Sequence, residues 1–267
     1  MKKIIFLDVD GTLAGVKDGK QYIPESAIEV IQKSRKKGNM IFLCTGRSQA
    51  EIGDIMDIGF DGVIGAAGGY ILYKNQLIFH KELNEEAVSK IAKFLDEQNA
   101  KYYLESNDGL FCNKAQLDSI NEYIEKGFDP NSNFLKIMKP LEEKRGIINK
   151  ISYQFDGNAY EKMMKEFKDE FHIVKSSYED GIEAGEIANK GITKATAIQF
   201  LMNYLQLDDY KTIGFGDSMN DLEMFEEVDV AVAMGNGRDG VIEKADYVTA
   251  DLYHDGIAQA FNELELI

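Results

Sequence analysis

Asp8 and Asp10 stand two residues apart, directly after the apolar run Ile4-Ile5-Phe6-Leu7, and Gly11-Thr12-Leu13 follow. Two carboxylates so close raise the local energy unless a cation or a proton sits between them. Four apolar residues in succession read as a strand buried on both faces, as in a parallel sheet. Both carboxylates then fall at the carboxyl end of that strand, where open α/β sheets place their ligands. Aspartate and glycine also favour turns. A turn accounts for Asp10-Gly11 but gives no reason for Asp8, so the chemistry indicated is that of a carboxylate metal site.

Three further segments carry matching chemistry. Met40-Ile41-Phe42-Leu43-Cys44 is a second buried-looking strand, and it ends in Thr45, Gly46 and Arg47. Thr45 and the Gly46 amide suit phosphate oxygens at a strand-to-helix turn. Arg47 adds charge there or is a solvated surface side chain. Thr212 to Gly216 is a third strand, running into Asp217, Ser218, Asn220 and Asp221. A helical turn puts Asp217 and Asp221 on one side. Ser218 suits a helix N-cap, a role that would not require the extra Asp and Asn. Lys194 lies in the first turn of a helix predicted over 193–204, where a cation opposes the macrodipole. That placement makes sense if Lys194 binds an anion. Lys190 reads as a solvated flank.

The elements that would position these residues alternate between strand and helix. Pro24 to Lys37 forms a helix closed by Gly38. Ala50 to Ile58 is a short helix, Gly62 to Gly65 a strand, and Tyr70–Tyr73 with Leu77–His80 a hairpin around Asn75. This alternation predicts an α/β fold with a doubly wound, Rossmann-like parallel sheet. The pattern changes near Leu83. A helix around 87–95, a hairpin over 101–112, a helix over 115–126 and a polar connection with Pro130 and Pro140 come first. A strand over 148–155, a helix over 159–169 and strands over 171–176 and 182–187 follow. Helix, strand, strand on each side of a linker predicts an α+β module. The expected organisation is a core over 1–82, an inserted domain over 83–186, and the core resumed over 187–267.

Composition narrows the partners. The formal charge of −16 over 267 residues argues against nucleic acid or an anionic membrane, both polyanions. An anionic ligand would then need a locally cationic site. Two cysteines are too few for a disulfide framework. Cys44 reads as core packing, because nothing nearby in the chain supplies a base to make it a nucleophile. His80, His172 and His254 lack ligand spacing. Gly235-Asn236-Gly237 reads as a loop near the site that contacts the late acidic motif. No apolar run reaches transmembrane length, and Asp8 and Asp10 interrupt what would otherwise resemble a leader. The expectation is a soluble cytoplasmic protein, monomer or homodimer.

In this order, DVDGTL, TGR, Lys194 and GDSMND resemble the four motifs of the haloacid dehalogenase superfamily of phosphatases, over essentially the whole chain. The insertion resembles the α/β cap of its Cof-type branch. The resemblance implies a phosphatase with Asp8 as nucleophile, Asp10 as general acid/base and Lys194 stabilising phosphate. It also implies Mg2+ held by the Asp8 side chain, the main-chain carbonyl of Asp10, and Asp217. Asp221 and Ser218 then stand behind the ligands, and Asn220 is a ligand or a phosphate contact alongside Thr45, Gly46 and Arg47. The substrate implied is a small phosphorylated metabolite, a sugar phosphate or phosphorylated cofactor. Many relatives of that branch read Asn-Gly-Ala after the third strand, where this chain has Ala66-Ala67-Gly68-Gly69. The usual polar contact of that loop is therefore not expected here. Rival readings are a phosphomutase or phosphotransferase using the same aspartyl-phosphate, and a non-catalytic phospho-acceptor or metabolite-binding protein.

Overall fold

The computed structural model describes residues 2–127, 129, 132–156, 159–177, 182–207 and 209–267, so Pro130 lies outside the described residues. The chain forms two compact units, one of Met1–Gly46, Asp54–Phe79 and Thr193–Ile267, the other of Arg47–Gly53 and His80–Ile192. The sequence pattern placed the boundaries near 82 and 187. The strand Ile182–Asn189 pairs with Phe171–Ser177 as far as Asn189.

Among the described residues the larger unit is built on a sheet whose neighbouring strands run Tyr247–Val248, Val230–Ala233, Lys211–Gly216, Lys3–Leu7, Met40–Cys44, Gly62–Gly65, Tyr70–Tyr73 and Gln76–His80. The first six are mutually parallel. Continuous apolar runs suit such strands because both faces are covered, and Ile4, Ile5, Phe6 and Leu7 are all fully buried. The order reverses at Lys3–Leu7: the chain first builds outward to Met40–Cys44 and later returns to add Lys211–Gly216 on the other side. Leu7 is in register with both Leu43 and Phe215. The residues just after these strands, Asp8, Thr45 and Asp217, therefore emerge side by side at a topological switch point, with neighbouring strands about 4.8 Å apart. The expected α/β fold with a parallel sheet is what the structure contains.

Several elements differ in detail from the sequence pattern. The predicted helix over 115–126 is two pieces, Lys114–Asp118 and Ile120–Glu125, meeting at Ser119, whose hydroxyl turns back onto the Gln116 carbonyl. The helix over 50–58 continues as a 3-10 segment after Ile52, where Gly53 takes a φ of +50°. A hairpin of Gly15–Lys17 and Lys20–Tyr22 was not anticipated; Asp18 and Gly19 both have positive φ, as a two-residue primed turn requires.

In the smaller unit the described strands order as Met138–Pro140, Leu110–Cys112, Lys101–Ser106, Ile148–Asp156, Ile182–Asn189 and Phe171–Ser177. Alternation sorts their side chains. Tyr102, Leu104, Ile151, Tyr153, Phe155 and Ile187 form a core with the helices Glu85–Glu97 and Tyr160–Phe167. Tyr102 and Tyr153 are thus core residues, whereas Tyr103 packs on the opposite face against Leu110, Cys112, Leu135 and Met138.

That opposite face holds a buried ion cluster. Lys150, 3% exposed, sits 2.6 Å from Glu186 and 3.3 Å from Glu105, itself 2% exposed, and Ser152 donates to Glu105 at 2.6 Å. Burial by itself would lower the Lys150 pKa, but Glu105 and Glu186 outweigh it and hold the ammonium charged. Breaking such a pair costs more than deleting it, because one charge is left buried alone. Lys150→Met is therefore expected to destabilise the smaller unit by about 3–5 kcal/mol, and Glu105→Leu combined with it to recover most of that loss. Denaturant unfolding of the two variants checks this, and an unperturbed Lys150→Met would refute it.

Candidate active site

Lys194 is the hub of the site. Thr193 accepts from the Thr196 amide and caps the helix Lys194–Leu205, whose buried face is Lys194, Ala197, Ile198 and Leu201. This spacing is that of one helical face, so the ammonium is carried into the interior together with the apolar stripe. Lys194 is 1% exposed and donates to Asp8 Oδ1 at 2.7 Å and to Asp221 Oδ1 at 2.6 Å. Burial would lower its pKa, yet Asp221 and Asp8 raise it above the ordinary lysine value. The cation at a helix N-terminus is thus paired with two anions.

Asp221, fully buried, spends its other oxygen on the turn that carries Asp217. Its Oδ2 accepts from the amides of Asp217 and Ser218, each at 3.0 Å. Ser218 caps the turn Met219–Asp221, and Asn220 is exposed with its Oδ1 accepting from the Ser218 hydroxyl. Thr12, whose side chain sequence reasoning left without a role, donates to Asp217 Oδ1 at 3.1 Å. Oxygens of Asp8, Asp217 and Asp221 lie within 4.8 Å of one another, the one such carboxylate, histidine or cysteine cluster among the described residues.

The glycine of the first motif is dictated by this packing. Gly11 has a φ of +86°, and a Cβ there would overlap the Asp217 carboxylate. Amides of Thr12, Leu13 and Ala14 converge on the Val9 carbonyl, closing a tight turn that leaves Asp10 exposed beside the buried Asp8. On the neighbouring strand Thr45 is 1% exposed, and its carbonyl accepts from the Ala67 amide at 3.0 Å. Ala66 and Ala67 have φ of +48° and +52°, a left-handed conformation that side chains adopt at a cost. Gly46 is half-buried. Arg47 belongs to the smaller unit, where its Nη1 donates to the Glu51 carbonyl at 3.2 Å. Among the described residues no histidine falls in a ligand grouping, and His254 pairs with Asp251 at the surface.

Three carboxyl groups face one ammonium, a surplus of two acidic groups, and burial pushes the Asp8 carboxyl pKa well above its ordinary value against the pull of Lys194. Burial, and then Asp221, push the Asp217 pKa up to about 6. An all-oxygen donor set with that surplus fits a hard divalent cation such as Mg2+.

A family model described as haloacid dehalogenase-like hydrolase matches residues 5–261. The chain belongs to the haloacid dehalogenase-like hydrolases. Within this family it is of the Cof type, and it is a phosphomonoester hydrolase. YkrA of Bacillus subtilis strain 168, provisionally named a phosphatase, is 30% identical over 99% of this chain and 98% of its own. The phosphoglycolate phosphatase of Thermoplasma volcanium is 27% identical, with all of both chains aligned. The solved structure of the subclass IIB sugar phosphatase BT4131 superposes with a TM-score of 0.79 at 27% identity, covering 100% of both chains.

Neither cysteine is exposed in this hydrolase. Cys44 and Cys112 are fully buried, and burial pushes both thiols up to about 12. At pH 8 a thiol of that pKa is ionised in about one molecule in 10^4. The native protein is therefore expected to resist Ellman's reagent and to titrate both thiols only after denaturation. Prompt reaction of either thiol in the native state would contradict this.

Proposed function

We propose that the protein is a Mg2+-dependent phosphatase that hydrolyses a small phosphorylated metabolite, a sugar phosphate or phosphorylated cofactor, through an aspartyl-phosphate on Asp8. The observation that carries the reading is a buried Asp8 at a switch-point strand tip, held by Lys194 and grouped with Asp217 and Asp221.

Phosphoryl groups repel an anionic nucleophile, so attack by a carboxylate needs positive charge around the transferring group. Lys194 supplies fixed positive charge where the phosphoryl oxygens gather, and Thr45, Gly46, Arg47 and Asn220 are proposed as their contacts. Asp8 attacks phosphorus; a new oxygen–phosphorus bond forms as the ester bond breaks. Asp10 gives its proton to the leaving oxygen, then takes one from the water that attacks the aspartyl-phosphate. Inorganic phosphate departs and Asp8 is restored. Mg2+, held by Asp8, the Asp10 carbonyl and Asp217, would supply the remaining charge neutralisation. Asp221 and Ser218 fix the Asp217 turn.

The substrate class follows from charge and relatives together. An acidic protein has little attraction for polyanions. The names of its relatives specify phosphoglycolate, a phosphoribitylamino-uracil and sugar phosphates, all small monoesters. No helix among the described residues is long and apolar enough to cross a membrane, and we assign the enzyme to the cytoplasm.

The test is phosphate release from a panel of sugar phosphates, nucleotides and phosphorylated vitamins, with Mg2+ and with EDTA. Metal-dependent release is expected, ranking the substrates. Transfer of the phosphoryl group to a second sugar without free phosphate would replace this reading by the mutase.

A further inference from the structure

Asn236 makes a bridge that the reaction outlined above does not use. It lies in Gly235-Asn236-Gly237, beyond the strand Val230–Ala233, and its side chain is exposed. An exposed amide has water available at both ends, yet here each end is committed to backbone. Its Nδ2 donates to the Gly11 carbonyl at 2.8 Å, 225 residues away in sequence, and its Oδ1 accepts from the Leu252 amide at 2.9 Å. The same loop is fastened to the acidic turn: Arg238 donates its amide to the Asp217 carbonyl at 3.0 Å, and a Cβ on Gly237 would press on that carbonyl and on Met234.

We infer that Asn236 is a positioning residue for the Asp10–Gly11–Thr12 turn. Gly11 is the freest residue in that turn, at a φ of +86° that most side chains avoid. The amides of Thr12, Leu13 and Ala14 gather on the Val9 carbonyl, whereas the Gly11 carbonyl points outward to Asn236. Fixing that carbonyl fixes the peptide plane between Gly11 and Thr12, while the Gly11 amide, donating to the Ala14 carbonyl at 2.8 Å, holds the plane on its other side. One side leads to Asp10, the proposed acid/base group; the other leads to Thr12, which holds Asp217. Asn236 thus acts on the reacting groups through the backbone and not by touching them. Small displacements suffice, because a misplacement of about 1 Å can cost 100-fold in rate.

The inference rests on the phosphatase reading, and two variants separate the ends of the amide. Asn236→Asp keeps an acceptor for the Leu252 amide but puts an oxygen against the Gly11 carbonyl; Asn236→Ala removes both bonds. With p-nitrophenyl phosphate, both variants are expected to lose roughly 10- to 100-fold in kcat, with KM within about threefold. Asn236→Asp should keep a melting temperature close to that of the parent. Mn2+ binding, followed by the electron paramagnetic resonance of the free ion, should weaken at least about fivefold in Asn236→Ala. An Asn236→Asp enzyme with parental kcat would overturn the inference and reduce Asn236 to a fastener of Leu252. A parent inactive on every phosphomonoester would sink the phosphatase reading alone. Mn2+ affinity then decides the matter: weaker binding in Asn236→Ala upholds the positioning role, and unchanged binding ends it.

Discussion

Replacing Asp8 with Asn is expected to reduce phosphate release by about 10^4-fold or more, and replacing Asp10 with Asn by about 10^2- to 10^4-fold. The two losses have different physical origins and can be told apart. An amide at position 8 cannot form the acyl-phosphate, so no substrate escapes the effect, however good its leaving group. An amide at position 10 can neither give nor take the proton. Its first-step defect depends on how much the leaving oxygen needs protonation. A sugar alkoxide needs it; p-nitrophenolate does not. With p-nitrophenyl phosphate, Asp10→Asn should therefore release a stoichiometric burst of p-nitrophenolate and then stall, because the proton of the hydrolytic water has no acceptor. Rapid-quench measurement of the burst, alongside released phosphate, checks both expectations. An Asp8→Asn enzyme within tenfold of the parent would remove Asp8 as nucleophile. A burst from that variant would do the same.

Much of this site could be read before any coordinates, and the reason is local. Asp8, Thr45 and Asp217 each end a continuous apolar run, and such runs in a parallel sheet have their ends set by strand length. One of the two partners of Lys194 was not legible in the same way. Asp221 is 27 residues away, and its pairing depends on the order in which strands join the sheet. The Glu105–Lys150–Glu186 cluster was hidden for a similar reason: its members become neighbours only when register sets Glu105 against Lys150 and Ser152 against Glu186. The hairpin around Asp18-Gly19 did carry a sequence signal, but its strands of three residues are too short to show alternation. Asn236 was legible as part of a glycine-flanked loop near the late motif; its bond to Gly11 was not, since an exposed amide has many possible partners.

Removing the metal should silence the enzyme and also change how its stability depends on pH. In the metal-free protein, burial and then the Asp221 charge raise Asp217 to about 6, against the relief given by Thr12 and Lys194. The unfolded chain releases the same proton near 4. Between those values the folded state binds more protons than the unfolded one, so this group makes the metal-free protein less stable as pH rises from about 4 to about 6. Above that window Asp217 is ionised, and its charge is available to a cation. Below about pH 6, Mg2+ must first displace a proton. One pH unit below the pKa, that displacement costs about 1.4 kcal/mol. Mg2+ at 100 times its dissociation constant stabilises by about 2.7 kcal/mol, which in a unit of this size is roughly 5–10 °C in the melting temperature. The gain at pH 7.5 should therefore be roughly twice the gain at pH 5, and Mg2+ added to a weakly buffered sample at pH 6 should release protons. Differential scanning fluorimetry at the two pH values, with EDTA as the metal-free reference, measures the first; a pH electrode measures the second. Equal gains at both pH values would mean that Asp217 does not exchange its proton for the metal. A larger gain at pH 5 would place the cation elsewhere.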